Sequence, residues 1–599
     1  MSKIQSSRNK IVISLALSIG LSCQAATVQE TIKADSPRAT KSYSSETWWK
    51  HAVIYEIYPR SFQDSNGDGT GDLNGITMRL DYLKELGIDA IWIAPVFPSP
   101  QVDFGYDISN YEAIDPQYGT FSDIQQLITE AKRRNIRVIL DMVLNHTSDK
   151  HPWFLEAASS RTSPKHNWYI WNDGKPGTGP NSHDGRVPPN NWVSVFGGSA
   201  WEWVPAVHQF YYHEYYRQQP DINWRNPEVE TAIFSMMRFW LDQGVAGFRL
   251  DAIPSLFEDA QLRDEAELGG TNAYGDPILA RNYTDNLPEN HGVIRRLRSL
   301  VADYPGDRVL IGETYLPNIA DLDKWYGGAA HDELQLPMDM LLGFSNKLDA
   351  SAFRKYIDEA ETKLHGSQPL FVFNKHDNVR AIDRYGDGAH NDEIAKLLAV
   401  VLLTTQSTAL MYEGEEIGMV TTPPARLQDV KDPVGITGWP KEKGRDGERT
   451  PMQWDDSPNA GFTSANVTPW LPIPPSHKTR NVEVETSDLN SMLNWYKQLI
   501  ELRRTNPAIH NGKNIMLNTK DLNVLSWLRQ APGQPAVIVA CNFTNQPQKI
   551  SFDLSAQGVT SKEVRTLMKT PGNVDPPSLD AVQLLPFSVY IGQVKIAGE

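Results

Sequence analysis

At 599 residues, with 40% hydrophobic and 22% charged side chains, the chain is too long for one compact core and has the composition of a globular protein with more than one domain. That composition excludes a disordered chain and a multi-spanning membrane protein, and a formal net charge of −16 argues against a nucleic-acid partner, because such binders concentrate Lys and Arg. A neutral substrate fits better.

The first segment reads as a processing signal. Lys3, Arg8 and Lys10 precede an apolar run from Ile11 to Leu21, and Cys23-Gln24-Ala25 offers small residues for cleavage. The run is short for a transmembrane helix, so a periplasmic or secreted protein with no membrane attachment after cleavage is expected. The alternative makes Cys23 a lipidated anchor, for which Gly20-Leu21-Ser22 is a poor lead-in. If Cys23 leaves with the signal, Cys541 stands alone and no intramolecular disulfide forms. Residues 26–47 are polar, rich in Ser, Thr and Lys, and read as a flexible leader.

From Trp48, short β-prone runs alternate with helical patterns. Ala52–Tyr58 reads as a strand, and Ile76–Leu86 as a helix with Ile76, Leu80, Leu83 and Leu86 at helical spacing. Ala90–Ala94 is the next strand, Ile124–Arg134 the next helix, and Arg137–Leu144, Gly247–Leu250, Arg308–Ile311, Leu370–Phe373 and Thr408–Met411 follow as strands. Repeated β-then-α units predict a parallel sheet closed into a (β/α)8 TIM barrel. Residues 147–218 break the rhythm; rich in Trp, Tyr, His, Gly, Pro and Asn, they read as an inserted subdomain after the third strand, at the barrel's C-terminal face. After the helix Met492–Arg504, alternating runs at Val524–Leu528, Ala536–Asn542 and Ser588–Ile596 predict an antiparallel β-sandwich. The expected domains are a signal peptide (1–25), a leader (26–47), the first part of the catalytic barrel (48–146), the inserted subdomain (147–218), the second part of the barrel (219–508) and the C-terminal β-sandwich (509–599).

The chemistry lies at strand ends. The strand ending at Leu144 runs into Asn145-His146, that ending at Leu250 into Asp251, that ending at Ile311 into Gly312-Glu313, and that ending at Phe373 into Lys375-His376-Asp377. One Asp after a strand is usually a helix cap. Four successive strand ends carrying acids or imidazoles point instead to a converging site. Arg249 and Asp251, two apart on a strand, share a face, and a guanidinium there favours an ionised carboxylate, which suits a nucleophile. A second carboxyl that holds its proton until the leaving oxygen takes it is also needed, and no basic residue lies near Glu313 in sequence.

Asp141-Met142-Val143-Leu144-Asn145-His146, Gly247-Phe248-Arg249-Leu250-Asp251-Ala252, Gly312-Glu313-Thr314 and His376-Asp377 resemble, in order, the four signatures of the α-amylase superfamily (glycoside hydrolase family 13), from about Trp48 to the end of the chain. Gln219-Pro220-Asp221-Ile222-Asn223 resembles a fifth signature of its α-glucosidase and oligo-1,6-glucosidase branch, and Arg445-Asp446 with Arg449-Thr450-Pro451-Met452-Gln453-Trp454 is similar to that branch too. The resemblance implies a retaining, exo-acting α-glucosidase with Asp251 as nucleophile, Glu313 as acid/base and Asp377 as the acid stabilising the distorted transition state. It places Asp103, Tyr106, His146, Arg249, His376 and Arg380 around the non-reducing glucose, Tyr106 as stacking platform and Asp103 with Arg380 at the closed end. Most of the other Tyr and Trp residues read as packing. The family usually has Asn before the His-Asp pair; Lys375 stands there, with Asn374 one position earlier, and an extra cation would tune Asp377 or His376 unless strand alternation turns it away.

Asp64, Asn66, Asp68, Thr70 and Asp72, with interspersed Gly, resemble the first part of a calcium loop, although Gly75 occupies the position of the bidentate Glu. A plain turn is the competing reading. The branch often binds Ca²⁺ there, so a structural Ca²⁺, with Mg²⁺ as the alternative, is expected, and no catalytic cofactor. The branch tends to have Val after the nucleophile in α-1,6-preferring enzymes; Ala252 implies α-1,4 preference, with maltose and short malto-oligosaccharides as substrates, sucrose as a further candidate and transglucosylation as a side activity. Met340-Leu341-Leu342-Gly343-Phe344 lacks the charged run of the sucrose isomerases, which, with trehalose synthase and oligo-1,6-glucosidase, remain the alternatives.

Overall fold

The computed structural model of the chain describes residues 47–596, apart from positions 346 and 560; the expected signal segment, Cys23 and the leader up to residue 46 lie outside the described residues. Eight parallel strands close a barrel: β1 (Val53–Ile57), β2 (Ala90–Ile93), β3 (Arg137–Val143), β4 (Gly247–Asp251), β5 (Val309–Gly312), β6 (Leu336–Asp339), β7 (Leu370–Val372) and β8 (Thr408–Tyr412). Because β1 pairs with both β2 and β8, no strand edge is left open.

Strand alternation divides the core. Ile54, Trp92, Ile139, Ile311, Met338 and Val372 pack together inside the barrel, whereas Tyr55, Ile91, Leu140, Phe248, Leu250 and Phe371 join the larger cluster under the helices. Both faces are covered, which is why these strands read as nearly continuous apolar runs.

Two expectations are corrected. The helix expected over Ile76–Leu86 is a pair, Leu73–Met78 and Leu80–Leu86, separated by a break at Arg79. The apolar period survives the break because Ile76, Leu80, Leu83 and Leu86 all remain buried. Strand β6, absent from the expected series, has only four residues and includes Pro337, so it lacks the length and residue pattern of a strand signal. It also separates β5 from β7, so the four polar strand ends are not all successive. Its terminal Asp339 caps the short helix Met340–Gly343, accepting from the Leu341 N–H at 3.0 Å.

After β3 the chain forms the helix Pro152–Ala157 and a three-stranded antiparallel sheet of Trp171–Asn172, Gln209–Tyr212 and Trp201–Val204, with Trp192, Trp201, Trp203, Phe210 and Tyr212 as its own apolar cluster. At the other end, Lys513–Leu517, Val524–Gln530, Ala536–Asn542, Val589–Val594 and Arg565–Lys569 form an antiparallel five-stranded sheet, with a two-stranded ribbon of Gln548–Ile550 and Val582–Leu584. Trp527, Val537, Val539 and Ile591 face the barrel cluster; Leu528, Ile538, Ala540 and Tyr590 face the ribbon. Cys541 is buried and free, and among the described residues no helix is long and apolar enough to cross a membrane.

Candidate active site

Strand register assembles the site. Asp141 on β3 lies opposite Arg249 on β4, and Val143 opposite Asp251. On the other side Gly312 pairs with Leu250, and the Glu313 N–H donates to the Leu250 carbonyl at 3.0 Å, so Glu313 emerges beside Asp251. Gly312 leaves room here for its neighbours: a Cβ would come within 2.3 Å of a Leu334 methyl and 2.6 Å of an Ile253 methyl, which would have to move aside.

Arg249 is fully buried and serves three carboxylates. Its Nη1 donates to both Asp141 oxygens at 3.0 Å and to Asp251 Oδ1 at 2.7 Å, while Nη2 lies 2.8 Å from Glu313 Oε2. Asp141 is also held by Trp92 Nε1 and the Tyr106 hydroxyl, each at 3.1 Å. Ala252, directly after Asp251, adopts φ 49°, a left-handed conformation rare for a residue with a Cβ, and turns its N–H to Glu313 Oε2 at 3.3 Å.

The end of β7 supplies the opposite wall. Lys375 is turned into the site and fully buried; its Nζ bonds Glu313 Oε1 and lies 3.1 Å from Asp377 Oδ2. Asp377 Oδ1 accepts from Arg445 Nη1 at 3.0 Å and Arg449 Nη2 at 2.7 Å. The His376 ring is stacked between Tyr58 and Tyr106, with centroids 5.3 and 5.4 Å away. Burial lowers His376 well below its ordinary range and raises Glu56 well above its own, which favours the neutral form of both across their 2.5 Å contact between Glu56 Oε1 and His376 Nδ1. His376 Nε2 stands 3.3 Å from Asp377 Oδ2.

Asp251, Glu313, Asp377, Asp103, Tyr106, His146 and His376 line one cavity of about 470 Å³, with Arg249 behind Asp251. Burial holds His146 down to about 3; its Nε2 stands 3.2 Å from the Tyr106 carbonyl. The exception is Arg380. Its guanidinium donates to the carbonyls of Glu413 and Glu448 at 2.9 and 3.0 Å and does not line the cavity. Arg445 occupies the position expected for it, bridging Asp103 at 2.8 Å, Asp377 at 3.0 Å and Asp432 at 2.8 Å. Sequence marked Arg445 only by likeness, because its loop has no periodicity to aim it. Phe196 and Tyr215 of the insert and Tyr315 after β5 also line the cavity and carried no signal beyond being aromatic.

The charge balance reverses the sequence expectation. Burial raises Asp251 well above the usual carboxylate range; Arg249 opposes this, but its one charge is divided among three acids, and Glu313 and Asp141 push Asp251 further up. Asp141 is pushed up to about 6, chiefly by burial. Burial acts on Glu313 too, yet Arg249 and Lys375 together outweigh it and hold Glu313 down to about 2. Burial acts on Asp377 as well, but the charges of Lys375, Arg445 and Arg449 in contact with it outweigh burial and hold it well below its ordinary value. Burial thus favours the protonated form of Asp251, and the two cations favour the ionised form of Glu313.

The loop at 64–72 closes on itself. Asp64 Oδ1 accepts from the N–H groups of Asn66 and Gly67, and Oδ2 from Gly69 N–H and Thr463 Oγ1; Asp72 accepts from Ser65 and caps Gly75. Asn66 and Asp68 turn back on the N–H groups of Asp68 and Thr70. Among the described residues no three His, Cys, Asp or Glu side chains stand together as a metal cluster. The hard oxygen donors suit Ca²⁺ chemically, but Asp64, Asp68 and Asp72 must draw together to hold it.

An eight-stranded parallel barrel whose strand ends carry Asp251, Glu313 and Asp377 around one cavity is the frame of a glycoside hydrolase. The family described as alpha amylase, catalytic domain, matches residues 56–512, and the chain belongs to it. Within it the chain falls on the α-glucosidase and oligo-1,6-glucosidase branch. It is 40% identical over 546 residues to a probable α-glucosidase of Rhizobium meliloti (strain 1021), covering 88% of this chain and 95% of that protein. It is 39% identical over 532 residues to an oligo-1,6-glucosidase of Parageobacillus thermoglucosidasius, covering 83% and 91%. Among solved structures, an α-glucosyl transfer enzyme aligns with a TM-score of 0.81 at 37% identity, and an isomaltulose synthase mutant from Erwinia rhapontici NX5 with 0.82 at 34%; each alignment covers 92% of this chain and 100% of the other.

Proposed function

We propose that the chain is a retaining, exo-acting α-glucosidase that hydrolyses terminal α-glucosidic bonds of short oligosaccharides. The observation that carries this reading is the shared guanidinium: Arg249 contacts both Asp251 and Glu313. One guanidinium reaching both carboxyls suits the short spacing of retaining enzymes, roughly 5–5.5 Å, better than the roughly 6.5–9.5 Å of inverting ones.

In the first step Asp251 attacks the anomeric carbon, the glycosidic C–O bond breaks, and the leaving oxygen takes its electron pair and the Glu313 proton. In the second, Glu313 takes a proton from water as the water oxygen attacks the anomeric carbon and Asp251 departs. The pair holds one proton throughout the first approach. It favours Asp251 in the empty site, and positive charge developing on the sugar favours an ionised Asp251 and a protonated Glu313. Asp377, held ionised, stabilises that positive charge and binds ring hydroxyls. The Asp103–Arg445–Asp377 bridge closes one end of the cavity, which supports exo-action. Tyr106 and His146 complete the glucose site.

Ala252 carries the linkage reading: a small side chain beside the nucleophile supports α-1,4 preference, maltose-type substrates and, less strongly, sucrose. A second sugar hydroxyl can replace water, giving transglucosylation. The likeness to an isomaltulose synthase supports a sucrose-isomerising transferase as the second reading. Product chromatography from maltose, isomaltose, sucrose and trehalose, with NMR of the first anomer released, tests all of these. α-Glucose appearing fastest from maltose supports the proposal; β-glucose contradicts retention, fastest release from isomaltose overturns the linkage, and isomaltulose from sucrose favours the second reading.

A periplasmic or secreted location, supported by the N-terminal charge and apolar pattern, completes the proposal, together with a structural Ca²⁺ at Asp64–Asp72. Retention of the protein in the periplasmic or culture fraction tests the first.

A further inference from the structure

We infer that Lys375 is a positioning residue for the reaction: its ammonium, wedged between Glu313 and Asp377 in the cavity wall, clamps the two carboxylates. The inference rests on the reading of Glu313 as acid/base and adds a control over it.

Lys375 is fully buried, its Nζ bonds Glu313 Oε1 and stands 3.1 Å from Asp377 Oδ2, and it lies 5.0 Å from the centre of the Tyr315 ring. An ammonium has three donors and no acceptor, and burying one is costly unless carboxylates surround it. Here both are already paired without it, Glu313 with Arg249 and Asp377 with Arg445 and Arg449. Lys375 is therefore not the sole partner of either acid, although on Glu313 it adds to a guanidinium shared among three carboxylates. Among the described residues it is the cation that joins the β5 carboxyl to the β7 carboxyl, fixing the distance between the proton donor and the acid that binds the ring.

The groups facing Glu313 decide the sign. Arg249 and Asp251 face it from β4, Asp141 from β3, Lys375, His376 and Asp377 from the end of β7, Tyr315 from its own segment and Tyr215 from the insert. His376 is neutral, so Arg249 and Lys375 are the two cations acting on it. Removing Lys375 raises the pH at which Glu313 and Asp377 take up protons. The fully protonated, inactive form then appears at higher pH, and the acidic limb of kcat/KM moves up.

The experiment compares Lys375→Asn, Lys375→Met and Lys375→Arg with the unaltered protein, measuring kcat/KM for 4-nitrophenyl α-glucoside against pH and thermal unfolding in parallel. The expected result is an acidic limb raised by one pH unit or more in the Asn and Met variants and restored by Arg. A uniform loss of activity with the limb unmoved overturns the inference. Should those variants not fold, [5-¹³C]Glu-labelled unaltered protein is titrated by NMR, with the Glu313 signal identified by its loss in Glu313→Gln. A midpoint below the ordinary glutamate value of about 4.3 supports the clamp, and one at or above it contradicts the clamp. The two readings fail separately: a Glu313→Gln enzyme that keeps its full kcat on maltose removes the acid/base assignment, whereas an unmoved limb beside a Glu313→Gln enzyme slow on maltose removes only Lys375.

Discussion

The ends of β4 and β7 both present carboxylates to the same cavity, with opposite charge balance. At β4 one guanidinium, Arg249, is divided among Asp141, Asp251 and Glu313, and burial prevails at Asp251. At β7 one carboxylate, Asp377, is surrounded by Lys375, Arg445 and Arg449, and the cations prevail. Asp251 and Asp377 expose 12% and 20% of their side chains, a small difference beside that in their cation contacts, so the number of cations per carboxylate sets the direction in which each is shifted.

Breaking each end separately exposes the difference. Asp251→Asn removes the nucleophile and should leave no measurable turnover of any α-glucoside. Glu313→Gln should lower kcat about 10²–10⁴-fold for maltose, and far less for an aryl α-glucoside whose phenol leaves without protonation; equal losses on both substrates would contradict the acid role. Arg445→Leu opens the closed end and strands Asp103, Asp377 and Asp432. A stability loss of about 3–5 kcal/mol, read from denaturant unfolding, is expected for breaking a largely buried network, with KM rising more than kcat falls.

How much of this was legible follows from what kind of signal each residue leaves. Seven barrel strands announce themselves because buried parallel strands are apolar on both faces, and Arg249 and Asp251 because a period of two puts them on one side. β6 leaves no such trace, having four residues and a proline. Asp251, Glu313 and Asp377 could be brought to one face by barrel logic, but the cations acting on them could not. Arg445 reaches Asp377 across 68 positions and Asp103 across 342, from a loop without periodicity. Lys375 was visible beside His376, yet its direction depends on the irregular turn after β7. Arg380, placed at the glucose by likeness, spends its guanidinium on two backbone carbonyls instead.

Smaller effects sharpen the same contrast. Ca²⁺ at Asp64–Asp72 should raise the unfolding temperature by a few degrees over protein in EDTA, and an unchanged temperature would leave the loop a self-satisfied turn. Glu485 is a carboxylate raised by burial, to about 8, whose oxygen accepts from the Leu493 N–H at 2.9 Å. Unfolded, it ionises near its ordinary value; folded, it keeps its proton until about pH 8, so its contribution to stability declines as pH rises between those values. Glu485→Gln should therefore raise the unfolding temperature at pH 8 and leave it nearly unchanged at pH 4. A gain of equal size at both would show that burial is not what shifts it.

The pairing of Asp251 with Glu313 is tested most directly by trapping the glucosyl-enzyme with a fluorinated glucosyl fluoride that is hydrolysed slowly, followed by peptide mass spectrometry. A single hexose-derived adduct on Asp251 is the predicted result. An adduct on Glu313 or Asp377, or turnover of the reagent with inversion and no adduct, would contradict the assignment.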